Sequence, residues 1–96
     1  MVEVRETVAY AAWFASLRDP QARARVLVRI RRLSLGNPGD VKPVGAGLSE
    51  LRIDHGPGYR VYFCRRGETL VILLGGGDKT SQRRDIATAL ALAKTV

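Results

Sequence analysis

The stretch ELRIDHGPGYRVYFCRR at residues 50–66 restricts the fold more than any other part of the chain. Two runs alternate apolar and polar residues around a Gly-Pro-Gly turn, which is the signature of a β-hairpin. Period 2 places Leu51, Ile53, Val61 and Phe63 on one face. Glu50, Arg52, Asp54, Arg60, Tyr62 and Cys64 then share the other. The next run, TLVILLGGG at 69–77, is apolar at every position from Leu70 to Leu74, as a central strand covered on both faces requires.

The rest of the chain supplies cover for such a sheet. Residues 2–6 alternate as a short strand. Val8, Ala11, Ala12 and Ala15 fall on one helical face, widened by Trp13, Phe14 and Leu17, in a segment that ends near Arg18. Asp19-Pro20 is a strong helix start, with an Asp cap and proline in the first turn. That helix runs to about Ser34 on a core stripe of Ala22, Val26, Ile30 and Leu33, and Gly36 is placed to end it. Arg25, Arg29 and Arg32 form a basic ridge on its opposite side. Residues 36–47 hold four glycines and two prolines and read as loop. From Lys79 or Thr80 to Lys94 a last helix buries Ile86, Ala89, Leu90 and Ala93. The expected architecture is α+β, a single 1–96 domain of order β-α-α-β-β-β-α: a small antiparallel-dominated sheet packed by an N-terminal helical hairpin plus a C-terminal helix.

Composition narrows function. The 96 residues carry 16 Lys and Arg against 9 Asp and Glu, a formal charge of +7 and a pI near 10.5. A polyanionic partner is the leading implication, and 13 arginines against three lysines favour phosphate and base recognition. One cysteine, Cys64, excludes an internal disulfide and a Cys-rich zinc site, and a lone histidine offers no metal set, so neither metal nor cofactor is expected. No stretch approaches a membrane span and the charged start is not signal-like, so the chain reads as cytoplasmic.

Two constellations carry possible chemistry. Glu50, Arg52, Arg60 and Tyr62 on one hairpin face are either cross-strand charge pairs on a solvated surface or an anion site in which arginines hold a phosphate and a carboxylate or phenol moves a proton. GGGDKTSQRRD at 75–85 is not a phosphate loop, because Leu73 and Asp78 stand where glycines are required. It still brings Lys79, Arg83 and Arg84 to a helix start, which either welcomes an anion or is simply capped by Asp78 or Thr80. His55 lies in the hairpin turn as a candidate base or a turn residue. If the substrate is RNA, its 2′-hydroxyl is an internal nucleophile, and cleavage needs only a base, an acid and cations.

The words ELRIDHGPGYRVYF and LLGGGDKTSQRRDI, with the Trp13-Phe14 helix, ARARVLVRIRRLSLGNPGD at 22–40 and KPVGAGLSELRIDHGPGYRVYF at 42–63, resemble the RelE/ParE superfamily of type II toxins. They resemble its HigB-like branch, described as phage-derived or addiction-module killer proteins, over nearly the whole chain. The resemblance implies a metal-independent, ribosome-dependent mRNA endonuclease that inhibits translation. Its partners would be the ribosome, mRNA and a cognate antitoxin, a small helix-turn-helix protein, in a toxin–antitoxin hetero-oligomer. It implies a catalytic arginine at Arg60 in the Gly-Tyr-Arg strand, basic residues at positions 50 and 52, and a further one near Lys79. Glu50 departs from that pattern, and no tyrosine follows Tyr62, so Glu50, Tyr62, His55 and Lys79 all stand as proton-transfer candidates. Arg25, Arg29, Arg32, Lys42, Arg83 and Arg84 are the expected RNA or ribosome contacts. A ParE-like gyrase inhibitor without nuclease activity, or a non-catalytic antitoxin- and DNA-binding protein, are the alternatives on the same fold.

Overall fold

A computed structural model describes residues 1–96 as α+β, with β1 (Glu3–Glu6), α1 (Val8–Ser16), α2 (Pro20–Ser34), β2 (Val41–Gly45), β3 (Leu48–Ile53), β4 (Tyr59–Arg66), β5 (Leu70–Gly77) and α3 (Gln82–Ala93). The sheet is ordered β1-β5-β4-β3-β2 and is antiparallel except for the β1–β5 pair. β5 therefore lies inside the sheet, which explains its unbroken apolar run. Val71 and Leu73 enter the core under α1 and α2, whereas Ile72 and Leu74 enter a second core under α3.

One strand was not expected. Residues 36–47 contain β2, paired to β3 through Val41–Leu51, Lys42–Glu50 and Pro43–Ser49. Proline is tolerated there because β2 is an edge strand with no further neighbour to receive an N–H. The glycines that suggested a loop belong to the turns at its ends, with positive φ at Gly39, Gly45 and Gly47.

The first helix also packs differently from its expected face. Val8 is 88% exposed and Ala11, Ala12 and Ala15 face solvent, while Tyr10, Trp13, Phe14 and Leu17 turn to the sheet. Both stripes have helical spacing; the larger rings win because they remove more apolar area from water. Thr7 fixes the angle of entry: its Oγ1 donates to the Leu73 carbonyl at 2.8 Å and accepts from the Tyr10 amide. Gly76 completes the fit, since a Cβ there would run into the Trp13 ring.

The third helix decides what the polar hairpin face becomes. Ile86, Ala89 and Leu90 lie over Leu48, Tyr62, Cys64, Ile72 and Leu74, so this face is largely a second core rather than open surface. Arg66 Nη2 donates to the Ala93 carbonyl at 2.7 Å and ties down the helix C-terminus. At the other end Gly77 makes room, because a Cβ there would overlap the Asp85 carboxylate. α3 starts at Gln82, two or three residues later than its sequence suggests, because Asp78 Oδ1 holds the Thr80 and Ser81 amides in a turn before it.

Candidate functional site

Strand register assembles the site in rows. Lys42, Glu50, Tyr62 and Gly75 are Cα partners across β2, β3, β4 and β5, and Arg52, Arg60 and Gly77 form the next row toward the hairpin turn. Partners in a row share a face, so the hairpin does bring Glu50, Arg52, Arg60 and Tyr62 together. Asp78 and Lys79 continue from the end of the second row. The Lys79 stem rests on the hairpin turn: a Cβ on Gly58 would lie 3.5 Å from Lys79 Cβ.

Depth separates these residues. Glu50 is 1% exposed and Tyr62 is fully buried, whereas Lys42 and Lys79 are exposed. Arg52 and Arg60 lie between, with 38% and 12% of their side chains exposed. Gln82 Nε2, in the first turn of α3, donates to Glu50 Oε2 at 2.6 Å. Arg60 Nε is 3.6 Å from Glu50 Oε1, an ion pair too long for a hydrogen bond. Arg60 Nε and the Tyr62 hydroxyl are both buried with no hydrogen-bond partner. Burial, with the nearby Glu50 and Asp85 carboxylates, pushes the Tyr62 phenol well above its ordinary pKa, so it stays protonated near neutral pH. Arg52 is held on the outer side by Asp40, whose Oδ1 accepts from Nη2 at 2.8 Å; that contact lowers the Asp40 carboxyl pKa.

The remaining candidates lie elsewhere. His55 leaves the hairpin turn toward the helical side, where its Nε2 lies 2.9 Å from Oδ2 of Asp19, the N-cap of α2. Arg29 is a clamp: Nη1 donates to the Arg52 carbonyl at 2.6 Å, and Nη2 donates to the Pro38 and Asp40 carbonyls at 3.1 Å each. Arg25 and Arg32 stay exposed on α2, as do Arg83 and Arg84 on α3. The start of α3 has little left for an outside anion, because Asp78 and Asp85 already place carboxylates there, Asp78 Oδ1 on the Thr80 and Ser81 amides and Asp85 Oδ2 on Ser81 Oγ. Gln82 and Asp40 belong to the site and escaped notice in the sequence. Gln82 carries no periodic signal, and Asp40 sits in a stretch that reads as loop. No three His, Cys, Asp or Glu side chains converge as a metal-ligating set.

Residues 12–95 match the family described as phage-derived protein Gp49-like (DUF891). The chain belongs to this family. Gp49-like proteins are phage-derived and associated with toxin–antitoxin-like modules. An uncharacterized protein from Haemophilus influenzae is 45% identical to this Gp49-like chain over 93 residues, covering 97% of the chain and 94% of that protein. The family match over residues 12–95 takes in every residue of the two rows and the Lys79 junction, so the site lies inside the family domain. No helix of this Gp49-like protein is long and apolar enough to cross a membrane.

Proposed function

We propose that this Gp49-like protein is the toxin of a type II toxin–antitoxin pair, of the RelE/ParE kind, and that it cleaves ribosome-bound mRNA without a metal in the cytoplasm. The observation that carries the reading is the row Arg52–Arg60 running to Lys79, a line of cations at the hairpin-turn end of the sheet face that α3 covers. Such a line suits the charge that builds on a phosphate when the neighbouring 2′-hydroxyl attacks it. The nucleophile and leaving group both belong to the RNA, so the protein must position the strand and stabilise the phosphorane.

Under this reading Glu50 serves as the buried anchor of Arg60 and does not touch the substrate. Arg60 approaches the scissile phosphate, Arg52 and Lys79 flank it, and Tyr62 supports the anchor from below. Lys42, Arg83 and Arg84 border the same face and extend its contact with RNA. A cognate antitoxin restrains the activity.

Expression of the chain without an antitoxin is expected to stop growth, with new 5′ ends inside the codons of translated messages mapped by primer extension. Arg60→Lys keeps the Glu50 pair and is expected to retain partial cleavage, whereas Arg60→Ala lowers the new ends about 10²-fold. Growth arrest with intact mRNA and inhibited DNA supercoiling would instead identify a gyrase-directed toxin.

A further inference from the structure

The start of α3 carries two neighbouring donors, and each takes one carboxylate. Ser81 Oγ donates to Asp85 Oδ2, which closes a turn within the helix. Gln82 Nε2 donates to Glu50 Oε2 at 2.6 Å and so reaches across to β3. A carboxylate only accepts, so the Gln82 atom against it is the amide nitrogen. This second bond is not needed to hold the helix down. Ile86, Ala89 and Leu90 already pack on the second core, Arg66 holds the Ala93 carbonyl at the far end, and the Asp78 turn sets the starting residue. Its consequence lies at the other partner. Glu50 is 1% exposed, and a buried carboxylate keeps one orientation only where donors hold it. Gln82 takes Oε2, which leaves Oε1 turned to Arg60 Nε, 3.6 Å away.

We infer that Gln82 is a positioning residue for Arg60 and acts through Glu50. The effect on rate rests on the cleavage reading above; the alignment of Arg60 does not depend on what the cation row binds. Released from Gln82, the Glu50 carboxylate is free to turn about its side-chain torsions, and Arg60, whose Nε has no hydrogen bond, turns with it. The guanidinium then misses the phosphate that Arg52 and Lys79 flank, and a misplacement of about 1 Å costs on the order of 10²-fold in rate. An amide suits the position because a second carboxylate there would repel Glu50. Gln82 does not touch the RNA, so its loss spares binding.

The test compares the full-length parent with Gln82→Leu, which removes the donor at similar size. One readout is single-turnover cleavage of ribosome-bound message; the other is the set of arginine Nε–H signals in proton–nitrogen correlation spectra. Gln82→Leu is expected to lower the rate at saturating ribosomes by at least about tenfold, with the half-saturating ribosome concentration unchanged. The Arg60 Nε–H signal, identified by its absence in Arg60→Lys, is expected to exchange with solvent at least about tenfold faster in Gln82→Leu. In a Glu50→Gln background the same substitution is expected to change neither readout by more than about twofold, because the group it acts through is gone. The role reversal Glu50→Gln/Gln82→Glu keeps a hydrogen bond between α3 and β3 but moves the charge away from Arg60. Its melting temperature is expected to exceed that of Gln82→Leu while cleavage stays low. Recovery of cleavage in the reversal means that the bond only tethers α3 and overturns the inference. An unchanged Arg60 signal in Gln82→Leu overturns it too, as does a loss that persists in full in the Glu50→Gln background. A parent chain that cleaves no message refutes the proposed function alone, and the Arg60 signal then decides the positioning role by itself.

Discussion

Leu51, Ile53, Val61 and Phe63 are buried in the apolar core under α1 and α2, while Glu50, Arg52, Arg60 and Tyr62, one residue away along the same strands, lie under or beside α3 in a mixture of charge and apolar cover. The first face is a finished core. On the second, a carboxylate, a guanidinium nitrogen and a phenol are buried together, and the guanidinium Nε has no hydrogen bond. The same contrast appears between two arginines. Arg29, on the helical side, gives its guanidinium to three carbonyls and closes a loop; Arg60, on the α3 side, keeps an unpartnered Nε next to a carboxylate. An arginine fully engaged by backbone is structural, and one left short of partners beside the exposed Lys79 is the candidate for a ligand.

The largest expected effect breaks that contrast at Arg60. Arg60→Ala should lower message cleavage by about 10²-fold, the scale of removing a preorganised donor from a transition state. It also leaves Glu50 buried without a counter-ion, at a cost of about 3–5 kcal/mol. The two losses separate in a double variant. Arg60→Met with Glu50→Gln removes charge and counter-charge together, so denaturant melts should recover most of the stability while cleavage stays as low as in Arg60→Ala. If cleavage returns with stability, Arg60 acts on the fold alone.

Arg29→Ala comes next, with no expected effect on single-turnover cleavage beyond that of stability. Losing three charge-assisted bonds to carbonyls should cost about 3 kcal/mol. Hydrogen exchange should locate the damage in residues 38–41 and β2, because the Pro38 and Asp40 carbonyls belong to the segment that leads into the edge strand. Loss of cleavage with intact exchange protection would place Arg29 in the ligand-binding machinery instead.

How much of this was legible in the sequence depended on whether a residue's role was local. The hairpin, the buried run of β5 and the Asp19-Pro20 start depend on spacing within one element, and each has its expected place and type. The grouping of Glu50, Arg52, Arg60 and Tyr62 on one face also follows from period 2 alone. Their burial does not, because it depends on where α3 lands. The clue was the run Leu70–Leu74: a strand apolar on both faces requires a lid on the side that holds Tyr62, and the C-terminal helix was the only element left to supply it. The Arg29 clamp and the Gln82–Glu50 bond join residues 23 and 32 positions apart and have no periodic trace. Tyr10 was lost for another reason. It competes with Val8, Ala11 and Ala12 for the same helix, and which stripe turns inward is settled by the fit of Trp13 over Gly76.

That fit gives a prediction of intermediate size on the finished face. Gly76→Ala places a methyl group in the Trp13 ring, and overpacking of this kind costs about 1–3 kcal/mol. Trp13 is the only tryptophan, so its fluorescence reports the displacement directly. Gly75→Ala is the control, since a Cβ there meets nothing within 4 Å. Equal destabilisation of the two would show that strand entropy, not the α1 contact, governs both.

The smallest expected effect concerns pH and the His55–Asp19 contact that joins the hairpin turn to α2. The Asp19 carboxyl is held below its ordinary pKa, first by the hydrogen bond with His55 and then by the Gln21 amide. A depressed pKa in the folded state means that the unfolded chain binds a proton more readily. The contact therefore adds stability above the unfolded value of about 3.9, and the gain is lost as pH falls through the folded pKa. Asp19→Asn still caps the helix but cannot titrate. Between about pH 5 and pH 3 the melting temperature of the parent chain should fall more steeply than that of Asp19→Asn. His55→Ala should flatten the parent's slope in the same way, without changing cleavage at neutral pH, because His55 faces the finished side of the sheet. A loss of cleavage in His55→Ala at unchanged stability would move the proton-transfer group to the hairpin turn and end the division between the two faces.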